Sequence, residues 1–196
     1  MRRNKERYLI GIDEAGRGPL AGPVAVGGVL VRRTSALKIL AGIRDSKRLT
    51  VQAREAWFRI LTAHPDFICA AVMIPVGTID RINIRNATLL GAERVYRRLA
   101  PSGASRVLLD GGLFLPDGIM QETIIKGDEK IPLIAAASII AKVRRDRLMR
   151  RLHKKYPQYR FDLHKGYGTK LHREMIREFG RCVIHRKSFR CNPPLD

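Results

Sequence analysis

The stretch Tyr8–Val24, YLIGIDEAGRGPLAGPV, constrains this chain more than any other. The apolar residues Tyr8, Leu9, Ile10 and Ile12 run into two adjacent carboxylates, Asp13 and Glu14. Gly16-Arg17-Gly18 follows at once, then Pro19, Gly22 and Pro23. An apolar run bounded by glycine and proline reads as a buried strand entering a tight turn with its backbone exposed. A carboxylate at such a strand end loses hydration unless a cation or a metal compensates it. The Gly-Arg-Gly segment offers bare amides and one guanidinium, which suit a phosphate or a sugar hydroxyl. The stretch therefore points to a carboxylate metal site beside a clamp for a phosphorylated substrate. Taken alone, an Asp-Glu pair in a loop is ordinary solvated surface, so the rest of the chain must supply partners for it.

The strand-then-acid pattern recurs. Ala25–Val31 reads as a second strand, antiparallel to the first across the Gly/Pro segment, and Arg32–Gly42 as a polar connection. Thr50 is a good N-cap for a helix over Val51–Ala63. Asp45-Ser46-Lys47 then sits just before that helix N-terminus, where amides and a lysine can hold phosphate. Phe67–Ile74 is a continuous apolar run, short enough for a central strand, and Pro75 stops it. A helix over Ile79–Leu99 carries Asn83 and Asn86 near its start, in reach of a substrate or of water. Arg106–Asp110 is again apolar residues ending in an acid, followed by Gly111-Gly112. Gln121–Lys126 is a short strand that ends in Gly127-Asp128. Three strands thus deliver Asp13, Asp110 and Asp128 at or just past their ends, and with Glu14 these can converge at one edge of a sheet.

Ile134–Lys155 is the longest helical stretch. Its first half is small and apolar, which predicts tight packing on a sheet; its second half is strongly basic. Ser138, Lys142 and Arg145 fall at i, i+4 and i+7 and share one stripe, placed to meet a phosphate backbone, while a solvated face remains the alternative for the more distal arginines. Beyond Pro157, aromatic, imidazole and basic residues interleave through Tyr159, His164, Tyr167 and His172. Gly166 and Gly168 leave the Tyr167 ring uncovered by its sequence neighbours and free to stack on a sugar or base; a core tyrosine near a turn is the alternative. Thr169 caps a helix over Lys170–Phe179, and the tail from Gly180, with Pro193-Pro194, is expected to be loosely held at its tip.

Composition enters as a test of these ideas. Lys and Arg number 38 against 18 Asp and Glu, a net charge of +20, which attracts polyanions and nucleic acid first among them. One domain over residues 1–196 is expected, with a helical C-terminal extension over about 155–196. MRRNKER leads into strand-like sequence with no long apolar segment, and no run is long enough to span a bilayer, so a cytoplasmic protein without a membrane partner is expected. Cys69, Cys182 and Cys191 match no zinc spacing, and no GxxxxGK[ST] segment supports nucleotide triphosphate hydrolysis. Four acids without a His/Cys ligand set suit a hard, oxygen-preferring cation, Mg²⁺ or Mn²⁺. Two such ions can stabilise both the attacking and the leaving oxygen of a phosphodiester displacement.

The blocks IDEAGRGPLAGPV, DSKRLT, DRINI, LLDGG, KGDEKIPLIAAASIIAKVRRDR, KGYGTKLH and HRKSF run in order from Ile12 to Phe189. Their ordered combination resembles bacterial ribonuclease HII. The resemblance implies an α/β, RNase H-like fold: a central mixed β-sheet flanked by helices, with a C-terminal helical segment. It implies a metal-dependent endoribonuclease that cleaves the RNA strand of RNA/DNA hybrids and incises 5′ to single ribonucleotides in duplex DNA. Two-metal-ion hydrolysis would leave 3′-hydroxyl and 5′-phosphate ends, in the service of ribonucleotide removal during DNA replication and repair. The family's catalytic, metal-binding tetrad falls on Asp13, Glu14, Asp110 and Asp128. Its glycine-arginine-glycine element falls on Gly16, Arg17 and Gly18, whose backbone senses the ribose 2′-OH, the group by which RNA is told from DNA. Tyr167 would pack on the sugar after the ribonucleotide, while Ser46, Lys47, Ser138 and Lys142 lie in blocks that approach the phosphates. A monomer is expected.

Three positions depart from the pattern: Glu129 stands where a small residue is common, Leu133 replaces a frequent Ser, and Arg144 a frequent Thr. Glu129 is a potential competitor for metal. The chain begins almost at its first strand, which is expected to leave no room for the N-terminal substrate-binding domain of the related ribonuclease HIII. Two other readings are open. A non-catalytic basic nucleic-acid-binding protein explains the charge but leaves the strand-end acids without a purpose. Another two-metal nuclease explains both, and a substrate lacking the 2′-OH separates it from a ribonuclease.

Overall fold

The structure, a computed structural model, describes residues 8–43, 49–99 and 105–190. Its sheet is built outward from β1 (Tyr8–Ala15), which has β2 (Val24–Val31) antiparallel on one side and β4 (Ser105–Asp110) parallel on the other. β3 (Phe67–Ile74) pairs antiparallel with β2, and β5 (Gln121–Ile124) parallel with β4, giving the order β3-β2-β1-β4-β5. The mixed sheet flanked by helices is the architecture expected from the sequence.

β3 is an edge strand rather than a central one. Its composition misleads because both its faces are covered: α1 (Val51–Ala63), α2 (Val76–Leu99) and α4 (Pro132–Lys155) all pack on it. Phe67, Cys69 and Ala71 join one core while Ile68, Ala70, Val72 and Ile74 join the other. The same alternation runs along β1, where Ile10 and Ile12 are fully buried in the core beneath α2 and Leu9 packs toward α4. Each fully buried aliphatic side chain stabilises the fold by about 1.5–3 kcal/mol.

Local chemistry sets the helix boundaries. Thr50 caps α1 by accepting from the Ala53 amide at 3.2 Å. α2 starts straight after Pro75 and breaks at Asn83 (φ 64°), whose Oδ1 accepts from the Asn86 amide at 3.0 Å. Asn83 therefore ends one helix and caps the next, a backbone role beside the two the sequence left open, substrate or water. The segment Arg32–Gly42 is not simply polar connection, because Thr34–Leu40 forms a 3₁₀ helix that buries Ala36 and Leu40. β5 stops at Ile124, short of Lys126, because Lys126 adopts φ 55° and turns the chain into the single-turn α3 (Gly127–Lys130). α5 (Phe161–His164) and α6 (Lys170–Phe179) follow α4, and Thr169 caps α6 through the His172 amide. Among the described residues, no helix is long and apolar enough to cross a membrane.

The approach of α4 to the sheet positions the site. A side chain at Gly27 would meet the Ala137 carbonyl at 2.5 Å and the Ala141 amide at 2.6 Å; one at Gly11 would meet the Leu133 carbonyl at 2.5 Å. Glycine on the sheet and alanine on the helix thus let the two backbones nearly touch, with Leu133 buried at the contact. Ser46, Lys47 and the tip of the C-terminal tail lie outside the described residues.

Candidate active site

Parallel pairing of β1 and β4 brings their carboxyl ends together, with Ile12 opposite Leu109. The next residue of each strand is an acid. Ligand oxygens of Asp13, Glu14 and Asp110 all lie within 4.8 Å of one another. Asp13 is buried; its Oδ1 accepts from the Glu14 amide at 2.6 Å, and the Ser138 hydroxyl of α4 bonds to its carboxylate. Asp110 accepts from the amides of Gly127 at 2.6 Å and Asp128 at 3.4 Å. Asp128 is buried beside the other acids and is tied to Asp110 through its backbone, but its carboxylate does not belong to the 4.8 Å group. Glu129 stays out of the cluster as well, with Lys126 Nζ 3.9 Å from its carboxylate.

Burial, and then the charges of Glu14 and Asp110, push the Asp13 carboxyl well above the usual range; bonds from Ser138 and the Glu14 amide pull it back in part. A divalent cation is what would relieve such a cluster, and an all-oxygen donor set fits Mg²⁺ or Mn²⁺ better than zinc.

The acids form one wall of a cavity of about 220 Å³ whose lining also includes Gly16, Arg17, Gly18, Ser138, Lys142 and Tyr167. Tyr167 is 41% exposed, so it is not a core residue, and Lys142 Nζ sits 5.8 Å from its ring centroid. Lys142 is itself held by buried Asp146 at 2.9 Å. Arg17 reaches Glu14 at 3.3 Å. A larger cleft, of about 380 Å³ between Tyr8, Arg106, Glu122 and Ile131, holds the Arg106–Glu122 ion pair and, among the described residues, no comparable group of acids.

The stripe Ser138-Lys142-Arg145 is divided by the fold. Ser138 is buried on Asp13 and Lys142 lines the cavity, whereas Arg145 is wholly buried and cannot meet a phosphate. Its guanidinium donates instead to the carbonyls of Pro23 at 2.9 Å, Lys165 at 3.0 Å and Ala21 at 3.2 Å. It also fills the space under Gly16 (φ 92°), where an added Cβ would lie 2.0 Å from Arg145 Nε.

Sequence reasoning missed several residues here. Arg186, in the segment after α6, is as buried as Arg145 and bonds the carbonyls of Gly16, Arg17 and Gly22. Three histidines hold the Tyr167 loop. Cys182 N–H donates to His185 Nδ1 at 2.9 Å, so His185 carries its proton on Nε2 and gives it to His172 Nε2 at 3.1 Å. His172 Nδ1 then donates to the Tyr167 carbonyl at 2.9 Å. His164 accepts from the Gly166 amide and bonds the Tyr159 carbonyl. Burial depresses His172 to about 3 and His185 to about 4, so the chain of imidazoles is neutral. The only sequence signals were the imidazoles near Tyr167 and the HRKSF block.

With this geometry in hand, likeness to known proteins is informative. The structure of the PCNA:RNase HII complex from Archaeoglobus fulgidus matches with a TM-score of 0.77 at 28% identity, covering 93% of this chain and 95% of that one. Fold and acid cluster together define the class, a metal-dependent hydrolase of the ribonuclease H type. The profile described as Ribonuclease HII matches residues 10–192. Ribonuclease HII of Chlamydia trachomatis serovar L2 is 49% identical over 182 residues, 92% of this chain and 81% of that one. That of Caldicellulosiruptor saccharolyticus is 45% identical over 186 residues, 93% of this chain and 87% of that one. The chain belongs to the ribonuclease HII family.

Proposed function

We propose that the protein is an endonuclease that cuts the RNA strand of RNA/DNA hybrids and incises 5′ to single ribonucleotides in duplex DNA, leaving 3′-hydroxyl and 5′-phosphate ends. Its place would be ribonucleotide removal during DNA replication and repair. One observation carries the reading: three converging carboxylates share a single cavity with the Gly16–Gly18 backbone and an exposed tyrosine. A phosphate cutter and a sugar reader are thus side by side.

Asp13, Glu14 and Asp110 would hold the divalent ions, with Asp128 beside them. Bound there, Mg²⁺ or Mn²⁺ supplies charge stabilisation for the attacking and leaving oxygens of the phosphodiester. Ser138 orients the Asp13 carboxylate through its hydroxyl. Lys142, steadied by Asp146, offers its ammonium to a phosphate at the cavity wall. The Arg17 and Gly18 amides donate to the ribose 2′-OH oxygen, and Tyr167 packs on the adjoining sugar. The +20 net charge supplies the affinity for the duplex backbone. Ser46 and Lys47 keep their proposed phosphate contacts on sequence grounds alone.

The test is incubation of the protein with a DNA duplex carrying one ribonucleotide, in Mg²⁺, Mn²⁺ or EDTA, beside an all-DNA control. Incision 5′ to the ribonucleotide, only with metal, is the expected result. Binding without incision in either metal would instead make this a nucleic-acid-binding protein, and equal cutting of the DNA control would make it a different nuclease.

A further inference from the structure

We propose that Arg186 is a positioning residue for ribose recognition: it aims the Arg17 and Gly18 amides into the cavity and thereby sets the discrimination between ribonucleotide and deoxyribonucleotide. The proposal rests on the reading of the Gly16–Gly18 backbone as the 2′-OH sensor.

Arg186 lies far along the chain from that loop, yet its guanidinium is fully buried beneath it. Nη2 donates to the Gly16 carbonyl at 2.6 Å, Nη1 to the Arg17 carbonyl at 2.7 Å and Nε to the Gly22 carbonyl at 3.0 Å. A planar fork of this kind can hold two consecutive carbonyls on one side of a loop, which an ammonium cannot. In a trans peptide the carbonyl and the following N–H point in opposite directions. Drawing the Gly16 and Arg17 carbonyls down onto Arg186 therefore turns the N–H groups of Arg17 and Gly18 up, away from it. Two adjacent amides facing one way make a concave acceptor-binding site, and the positive φ of Gly16 permits it.

The upper side of the loop is open. Among the described residues, no acceptor pairs with the Arg17 or Gly18 amide, and both residues line the cavity with Asp13. An added Cβ at Gly18 would meet nothing within 4 Å, whereas one at Gly16 would strike Arg145. The loop is thus packed on guanidinium below and bare above.

Arg186 is itself fixed from α2. Asp80 accepts from the Lys187 and Ser188 amides, each at 3.0 Å, and from the Ser188 hydroxyl at 2.6 Å. The Phe189 ring lies 4.8 Å from the Arg186 guanidinium. A buried cation with only main-chain acceptors is costly, and burial together with Arg145 lowers its pKa to about 9. A tie serving stability alone has no need of a charge; a fork that must set two peptide planes at once does.

Arg186→Lys keeps the charge and loses the fork. KM for incision of a single-ribonucleotide duplex, and Ki of the same duplex in all-DNA form as competitor, give the selectivity Ki/KM. The expected result is a selectivity lowered about tenfold, the worth of one to two neutral hydrogen bonds, with Ki itself changed less than about twofold. A merely structural role would weaken both duplexes together and leave the ratio unchanged; that result in a folded variant overturns the proposal while leaving the sensor reading intact. A ratio near one in the unaltered protein overturns the sensor reading and the proposal with it. Should Arg186→Lys fail to fold, Asp80→Ala, which frees residues 187–188 from a partly exposed carboxylate, carries the same test. Its selectivity is expected to fall about threefold, a part of one hydrogen bond, and an unchanged ratio overturns the proposal.

Discussion

The acids on one side of the cavity and the loops on the other are held in place by different means. Asp13 and Asp110 are set by strand register, which is regular backbone hydrogen bonding, and by the close packing of α4 on the sheet. Among the described residues the Gly16–Gly18 and Gly166–Gly168 loops lie outside that ladder; beside the Leu20 and Ala21 amides on the Gly166 carbonyl, buried guanidiniums from distant segments and neutral imidazoles grip the carbonyls and amides in and next to these loops. The acid side stores repulsion that a metal would relieve, whereas on the loop side the carbonyls beneath the cavity are already bonded and the Arg17 and Gly18 amides are left for substrate. A change on the first side should therefore be felt in metal response, and one on the second in pH response and sugar selectivity.

The largest effect should come from the acid side. Asp13→Asn is expected to lower incision by on the order of 10³-fold or more while leaving duplex binding largely intact. Its melting behaviour separates repulsion from metal binding. At neutral pH the buried Asp13 charge is disfavoured by its surroundings, so without metal the Asn variant should melt higher than the unaltered protein. With Mg²⁺ or Mn²⁺ the order should reverse, because only the intact acid cluster gains stability by binding the ion. Thermal melts with and without metal show whether the two curves cross; cleavage retained at ordinary enzyme concentration would break the assignment.

Gly27→Ala tests the backbone contact that delivers Ser138 to Asp13. Its Cβ would press on α4 main chain, which cannot rotate aside as a side chain can, so a loss of roughly 1–3 kcal/mol is expected. Urea denaturation measures it, and a neutral result would mean that α4 is not held against the sheet as tightly as the structure has it.

How far the sequence revealed these two sides follows from the range of the interactions. An acid after an apolar run is a local signal, and so is a tyrosine between glycines; Asp13, Glu14, Asp110 and Tyr167 were visible for that reason. Helix caps at Thr50 and Thr169 were visible likewise. The position of Asp128 just beyond β5 was legible, but not how the single turn of α3, entered through Lys126 at φ 55°, would set its carboxylate relative to the others. Periodicity placed Arg145 with Ser138 and Lys142 because it records which face of a helix a residue occupies, not what covers that face. Beyond its place in the HRKSF block, nothing local marks Arg186: its acceptors lie at Gly16, Arg17 and Gly22. Strand neighbours are non-local for the same reason, so β3 passed for a central strand.

On the loop side, the neutral imidazoles give a pH response of known sign. His172 and His185 titrate near 3 and near 4 when folded, against about 6.5 when unfolded. Above about 6.5 both states bind no proton there and the imidazole chain is intact. As pH falls below that value the unfolded chain takes up protons that the native state refuses, and stability declines by up to about 1.4 kcal/mol per pH unit for each group. His172→Asn, whose amide can still donate to the Tyr167 carbonyl, should flatten the decline between pH 6 and pH 4, as read by urea midpoints across that window. An unchanged slope would show that the imidazoles are not the acid-sensitive part of the fold.

The smallest expected effect lies where the two sides meet. Lys142 stands between the acids and Tyr167, and its direction depends on Asp146, one helical turn on. Asp146 is buried, so its carboxylate cannot be traded for water without cost, and Lys142 is the side chain whose ammonium it holds at 2.9 Å. Asp146→Asn preserves shape and one acceptor oxygen but removes the charge. Lys142 should then sample more rotamers and lose part of its phosphate contact in the ground state and the transition state alike. Uniform loss of this kind raises KM and spares kcat; a rise of about threefold is expected, the size of a weakened, partly exposed ion pair. Salt should narrow the difference between variant and parent, because the lost contact is electrostatic. A fall in kcat at unchanged KM would instead show that the Lys142 contact is made in the transition state alone.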